Sequence, residues 1–330
     1  MPGGERPLGE PPGPALRRLL TGPDPRGSLP CTFEAASRAS FLESVDRCRE
    51  YILAGDVFQA NLSQRFEIPL SGTGVHLFER ILAVNPSPYA GYLRNDRIEI
   101  VSGSPECLIR SEPEGQAYRL TTRPIAGTYP RGKDPELDRQ LSQGLRGDPK
   151  ERSEHIMLVD LERSDLGRVC RPGSVQVEKL LEVETYSHVH HLVSTVTGLT
   201  RPGIKSMDVL AAVFPGGTIT GAPKIRAMQI IDELESFARG PYTGSMGWVG
   251  LDGSINLSIL IRTLVVQGGR AHLQVGAGIV WDSRPEREFE ETLHKARASL
   301  LALGVTDSPV ALPHQRMVTD RARTWRPVPR

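Results

Sequence analysis

A chain of 330 residues with 38% hydrophobic and 24% charged residues carries enough apolar material for one large domain or two ordinary ones. Its formal net charge of +1 and aromatic content of 5% exclude a strongly basic binder of nucleic acid or anionic membrane and leave little surface for stacking on bases. Cys31, Cys48, Cys107 and Cys170 form no CxxC pair, and no apolar run approaches the roughly 20 residues that span a bilayer, so the expectation is a soluble cytoplasmic protein with reduced thiols.

Residues 1–36 and 306–330 are rich in Pro and Arg and lack hydrophobic periodicity; they are expected to be a disordered arm and tail around a body at 37–305. The body opens on a predicted helix in which Ser40 and Glu43 have capping-box spacing, Phe41, Val45, Cys48 and Ile52 share a face, and Gly55 supplies the end. A strand is predicted from Val57 to about Ile68. Three hairpins follow from turn pairs between apolar runs: Asn95-Asp96, Asp252-Gly253 and Gly268-Gly269. Helices are predicted over about 151–163, over 224–235 with Ile225, Met228, Ile231 and Leu234 as the apolar stripe, and over about 285–303 with Ser283 and Glu286 at capping-box spacing. Hairpins with separate helices argue an α+β fold built on large antiparallel sheets.

Two pairs of carboxylates stand out. Glu151 and Glu154 are three residues apart on one predicted helix, and Glu288 and Glu291 repeat the spacing on another, so each pair projects from one face. Facing each other they make an all-oxygen site suited to Mg²⁺. Spacing alone favours solvated helix faces with local ion pairs, such as Glu291 with Lys295 at i,i+4. The Gly-rich stretch Gly216–Lys224 precedes a helix but lacks the phosphate-loop pattern, and Gly276-Ala277-Gly278 follows a strand; both read as tight turns or as backbone-amide anion sites. Of His188, His190 and His191, the first two share a face of an extended segment and the third points away, which suits one orienting histidine better than a metal site.

The same stretches resemble a known family. Asp56–Arg65 is similar to its first strand motif, Ser102–Glu106 to SxSPE, Arg123–Thr128 to PIxGT, and Glu154–Arg168 to its ExxMxVDLxRNDLGR helix; 214–228, 259–263 and 276–280 match in order and spacing. The family is the chorismate-binding enzymes: anthranilate synthase and aminodeoxychorismate synthase component I, with the isochorismate and salicylate synthases. The resemblance runs from about residue 38 to 303 and implies an α/β sandwich of two large antiparallel sheets with outer helices. Most aminating members carry a further N-terminal segment, so the N-terminal part is expected to be shortened here.

By that resemblance Mg²⁺ is the cofactor, held directly by Glu154 and Glu291 and through water or from behind by Glu151 and Glu288. Glu106 matches the general acid that protonates the departing ring hydroxyl. Tyr242 and Arg262 match the groups holding the enolpyruvyl carboxylate, with the amides of Gly276 and Gly278 as further donors. Thr128 and Lys295 match pocket positions, and His191 the histidine beside the ring. Gln59 replaces the lysine base of water-adding members, which implies ammonia as nucleophile, delivered by a separate glutamine amidotransferase subunit. The stretches 214–224 and 58–65 resemble aminodeoxychorismate synthase, whereas Ala126 stands where such enzymes carry the lysine of PIKGT and where anthranilate synthases carry alanine. The expected activity is therefore conversion of chorismate and ammonia to 4-amino-4-deoxychorismate for p-aminobenzoate and folate synthesis, with anthranilate synthesis as the alternative and a non-catalytic chorismate-binding subunit as a third possibility.

Overall fold

The computed structural model describes residues 34–35, 38–70, 72–186 and 189–305. Two antiparallel sheets, each of seven strands among these residues, form the framework. The first runs β1 (Glu34–Ala35), β2 (Gln59–Pro69), β14 (Arg270–Ile279), β13 (Thr263–Gln267), β4 (Glu99–Ser104), β3 (Tyr89–Arg94), with β10 (Gly221–Ala222) also on β2. The second runs β11 (Ser245–Val249), β12 (Ile255–Ile259), β5 (Cys107–Glu114), β6 (Ala117–Thr122), β9 (Val189–Leu199), β7 (Ile125–Pro130), with β8 (Gln176–Thr185) also on β9. This is the α+β sandwich that the hairpins imply.

The period of two in β2 decides how its sheet is used. Ala60, Leu62, Phe66 and Ile68 are buried on one face. There they join apolar residues of α1 (Arg38–Leu53), α2 (Gly74–Val84), α6 (Lys224–Leu234) and α7 (Pro285–Ala302) in two clusters. Gln59 and Asn61 point to the other face, beside glycines of β14, and it is this polar face that carries the site. On the second sheet, Leu108, Ile109, Leu120 and Val196 pack with Val159 and Leu166 of α4 (Pro149–Gly167) and Val209 of α5 (Ser206–Val213). The remaining helix, α3 (Pro135–Gly147), buries Leu145 with Leu181 and Leu192.

The chain first passes from the first sheet to the second through Pro105-Glu106, and last returns from the second to the first through Leu260–Arg262, with β10 visited in between. These two short crossings lie side by side: Ile259 N–H donates to Glu106 O at 3.1 Å, and Gly103 N–H to Arg262 O at 3.1 Å. Arg262 takes a left-handed backbone, φ 50°, which L-residues adopt only under constraint.

Several local expectations are corrected. Helix α1 starts at Arg38, so Ser40 lies inside it and the capping box does not form. Arg284 holds the N-cap position of α7 without a side-chain cap bond; Ser283 instead receives a hydrogen bond from Val280 N–H at 3.1 Å. On α6 the buried set is Ala227, Ile230, Ile231 and Leu234, while Ile225 and Met228 are exposed, because the helix docks on β2 and α1 about a residue round from the predicted stripe. Helix α4 begins two residues earlier than predicted, with Pro149 in its first turn and the Asp148 carboxylate accepting from Lys150 N–H and Glu151 N–H at 2.8 and 3.2 Å. Gly268-Gly269, both with positive φ, make the expected two-residue hairpin between β13 and β14. Glu34–Ala35, inside the expected arm, pair with Glu67 and Phe66 of β2; the rest of the arm, the tail 306–330 and His188 lie outside the described residues. Cys48, Cys107 and Cys170 are free and buried, and no described helix is long and apolar enough to cross a membrane.

Candidate active site

The floor of the site is a pair of glycines. Gly276 and Gly278 of β14 stand opposite Ser63 and Asn61 of β2. A Cβ on Gly276 would lie 2.4 Å from Asn61 Oδ1 and 2.8 Å from Tyr242 Oη; one on Gly278 would lie 2.2 Å from Gln59 Nε2. Gln59, Asn61 and Tyr242 therefore occupy the space that side chains would take, and all three are buried. The Gln59 Oε1 and Asn61 Oδ1 oxygens have no hydrogen-bond partner, so two buried acceptors face the site. Strand β13 pairs with β14 only from Arg270 to Leu273, which leaves the second edge of Gly276–Gly278 clear of that strand.

Glu106 is 4% exposed at the crossing between sheets. Burial pushes its carboxyl up to about 7, against the opposing pull of the Thr218 hydroxyl, which donates to Oε1 at 2.8 Å, and of the charges on Arg262 and Lys295. A carboxyl in that range holds its proton through much of the neutral region yet can release it, as a general acid must. Lys295 of α7 donates to Gly276 O at 3.0 Å and pairs with Glu291 at 2.7 Å.

His191 on β9 is in register with Thr128 on β7, and its Nδ1 lies 2.8 Å from the Thr128 hydroxyl. Burial, with the neighbouring Arg262 charge, pushes the imidazole down to about 4. It is neutral at neutral pH and suited to orienting a ligand, not to carrying a charge. His190 faces away and is tied to Asp138 at 3.0 Å and Thr185 at 2.9 Å, a structural role.

Glu151 and Glu154 of α4 lie near enough to Glu288 and Glu291 of α7 for the four to act on one another electrostatically. Burial and then its like-charged neighbours Glu151, Glu291 and Glu288 push Glu154 up to about 7 against the pull of Lys150; burial raises Glu151 and Glu288 as well. Glu151 Oε2 lies 2.9 Å from where a Cβ on Gly127 would be, so the carboxylates adjoin Thr128. Lys150 sits in their field, 3.8 Å from Glu154. Among the described residues no three Asp, Glu, His or Cys side chains converge on ligating positions.

Sequence reasoning missed Thr218 and Asn61. The loop 216–224 is not an anion cradle. Gly221, φ 141°, presses onto Gln59 O, where a Cβ would lie 2.1 Å away, and Lys224 Nζ is bound to Asp165 at 2.5 Å and Val213 O at 3.1 Å. Its role is to bring Thr218 to Glu106 and to dock on β2, where Asn61 Nδ2 donates to Thr218 O at 3.1 Å and Asn61 N–H to Thr220 O at 2.8 Å. The alternation of polar Gln59, Asn61 and Ser63 with apolar Ala60 and Leu62 along β2 is the signal that could have found Asn61.

Known proteins resemble this chain along most of its length. The chorismate binding enzyme family model matches residues 21–301. Anthranilate synthase component 1 of Thermus thermophilus is 50% identical over 297 residues, covering 88% of this chain and 63% of the relative. Aminodeoxychorismate synthase component 1 of Bacillus subtilis is 46% identical over 294 residues, covering 89% and 61%. The crystal structure of anthranilate synthase component I from Streptococcus pneumoniae superposes with TM-score 0.75 at 38% identity, covering 86% of this chain and 64% of that one. The chain thus spans a little under two thirds of the length of these relatives. With the motifs, the sandwich and the matched span in agreement, the chain belongs to the chorismate binding enzyme family.

Proposed function

We propose that this chain is the chorismate-aminating component of an aminodeoxychorismate synthase, using ammonia supplied by a partner glutamine amidotransferase. The observation that carries the reading is the hydrogen-bonded union of Asn61, Thr218 and Thr220 beside Glu106. The two stretches that resemble aminodeoxychorismate synthases are one structural unit, and that unit holds the acid. Arg262 and Tyr242, with the Gly276–Gly278 amides, bind the enolpyruvyl carboxylate, an arrangement suited to a guanidinium fork. Glu106 gives its proton to the departing ring hydroxyl. The Gln59 and Asn61 oxygens, which accept but cannot abstract a proton, suit an N–H nucleophile.

The chemistry of the donor set fits Mg²⁺: all the donors are carboxylate oxygens, Glu151, Glu154 and Glu288 are each raised by burial and by like charges nearby, and Lys150 of α4 stands among them as a counter-charge. Glu154 and Glu291 would hold the ion after leaving Lys150 and Lys295, with Glu151 and Glu288 behind them. Bound there, Mg²⁺ would neutralise the ring carboxylate of chorismate and draw electrons from the ring.

A second reading, anthranilate synthesis, is favoured by Ala126 and by the larger share of anthranilate synthases among the relatives. Product analysis separates the two. Purified protein with chorismate, Mg²⁺ and an ammonium salt is expected to yield p-aminobenzoate once aminodeoxychorismate lyase is added. Anthranilate appearing without the lyase moves the chain to the second reading. Chorismate binding without turnover would reduce it to a binding subunit.

A further inference from the structure

The segment 125–128 of β7 touches three parts of the site, and one buried histidine holds it. Against β9 its register runs from Ile125 opposite Val193 to Thr128 opposite His191, so β7 has one residue more than its partner and bulges there. Gly127, in the bulge, takes φ 89°, and a Cβ on it would lie 2.9 Å from Glu151 Oε2. Thr128 meets the His191 ring at 2.8 Å. The Ile125 N–H donates to the Glu106 carboxyl. Backbone groups that a bulge takes out of the ladder need partners elsewhere. The Ala126 carbonyl finds one in His155 Nδ1, 3.1 Å away.

His155 follows Glu154 in α4 and turns its ring inward to the second sheet, where it is fully buried. Burial disfavours a charge on the imidazole, so one ring nitrogen donates and the other accepts. A carbonyl only accepts, which places the proton on Nδ1, toward Ala126 O. Nε2 then accepts from the Ser194 hydroxyl of β9 at 2.7 Å. The Ser194 oxygen in turn accepts from Leu181 N–H at 3.0 Å. Leu181, φ 55°, stands at an irregularity of β8. The donors run in one direction, from Leu181 to Ser194 to His155 to Ala126, and the second half of the relay ties α4 to the bulge.

We propose that His155 is a positioning residue for the substrate pocket: by holding Ala126 O it fixes the bulge, and with it Thr128 and the Ile125 N–H, against the helix that bears Glu151 and Glu154. This deepens, and rests on, the reading of the site as one that binds and aminates chorismate. Thr128 comes from a strand and the two glutamates from a helix, so the pocket is defined only as well as strand and helix are registered. A misplacement of about 1 Å is enough to cost about 100-fold in rate. A directional bond from the residue after Glu154 to the residue two before Thr128 supplies that registration.

The test compares two amides. The side-chain nitrogen of His155→Asn can stand where Nδ1 stood and keep the Ala126 bond, whereas that of His155→Gln reaches the place of Nε2 and keeps only the Ser194 bond. Calorimetric titration with chorismate, with Mg²⁺ and without ammonia, reads affinity in the absence of turnover, and thermal melting reads stability. His155→Gln is expected to weaken chorismate binding about 10- to 100-fold, the range for groups that orient ligand-bearing side chains. His155→Asn is expected to bind close to the wild type, although both variants melt at lower temperature. Affinities that fall in step with melting temperature in both variants, or no further in His155→Gln than in His155→Asn, would overturn the proposal. A measurement on the wild type requires no variant to fold. Nitrogen NMR of isotope-labelled histidine is expected to find His155 protonated on Nδ1, the tautomer less common in free histidine, and a ring protonated on Nε2 would equally overturn the proposal. A wild type that binds chorismate and never aminates it would overturn the proposed reaction but not the role of His155, because the affinities are read without turnover.

Discussion

At the scale of single residues, the chemistry rests on groups that are common in type and unusual in surroundings. Glu106 is one of many glutamates, and its place at the crossing, with 4% exposure and one hydroxyl donor, is what suits it to the proposed role of acid. Glu106→Gln keeps the Thr218 contact but has no proton to give, so kcat is expected to fall by about 10²- to 10⁴-fold, the range for loss of general acid catalysis; steady-state kinetics at pH 7 with a separate chorismate binding assay checks that affinity is spared. Gly278→Ala places a methyl group 2.2 Å from Gln59 Nε2. It is expected to raise KM for ammonia and chorismate together, and an unaltered KM for both would deny the glycine floor its role. The sequence showed Glu106, His191 and the four helical glutamates through motif and spacing. It did not show that Thr218 serves Glu106 or that Lys150 sits among the glutamates, because those contacts join residues more than a hundred positions apart or depend on a side chain folding back along its own helix.

At the scale of elements, the carboxylates are only as well placed as the helices bearing them. Asp148 closes α3 and caps α4 at once, and it also accepts from the Tyr129 hydroxyl at 2.8 Å. Asp148→Ala removes the N-cap of α4 and the Tyr129 contact while keeping the backbone N–H that closes α3 on Leu145 O, and N-cap loss alone costs about 0.5–2 kcal/mol. The expectation is a lower melting temperature and a weaker Mg²⁺ requirement curve, since Glu151 lies in the turn that Asp148 anchors; chemical denaturation and activity against Mg²⁺ concentration read the two effects. The Asp-Pro pair at 148–149 is a strong start signal that the predicted boundary at 151 overlooked. The stripe on α6 failed for a different reason: residues 227, 230, 231 and 234 and residues 225, 228, 231 and 234 both satisfy a helical period, and only the docking partner chooses between them. The two-residue hairpin at Gly268-Gly269 was read well, because paired glycines with positive φ leave the chain few alternatives.

For the whole molecule, the buried acids make stability depend on pH. Glu106 and Glu162, at about 7 and about 8, bind protons in the native state that an unfolded chain releases near the usual 4.5. Native protein thus holds more protons than unfolded protein across that window, so stability falls as pH rises from the unfolded value through the native ones. His191, lowered to about 4, acts oppositely but only below about 6.5, where it is the unfolded state that takes up the proton. The melting temperature is expected to decline between pH 6.5 and 8.5, and a flat profile there would mean that the carboxyls are better solvated than their burial indicates.

The first and last crossings between the sheets have a mechanical consequence. Glu106 rides on one and Arg262 on the other, joined by backbone hydrogen bonds at 3.1 Å. Strands at the sheet edges can lengthen, fray or accept insertions without altering that junction. A slip of one sheet across the other cannot, because the seam is where the displacement would concentrate. The Glu106 carboxyl and the Arg262 guanidinium are mounted on the joint itself, so a load applied at a distant edge is expected to reach them as a change in their separation.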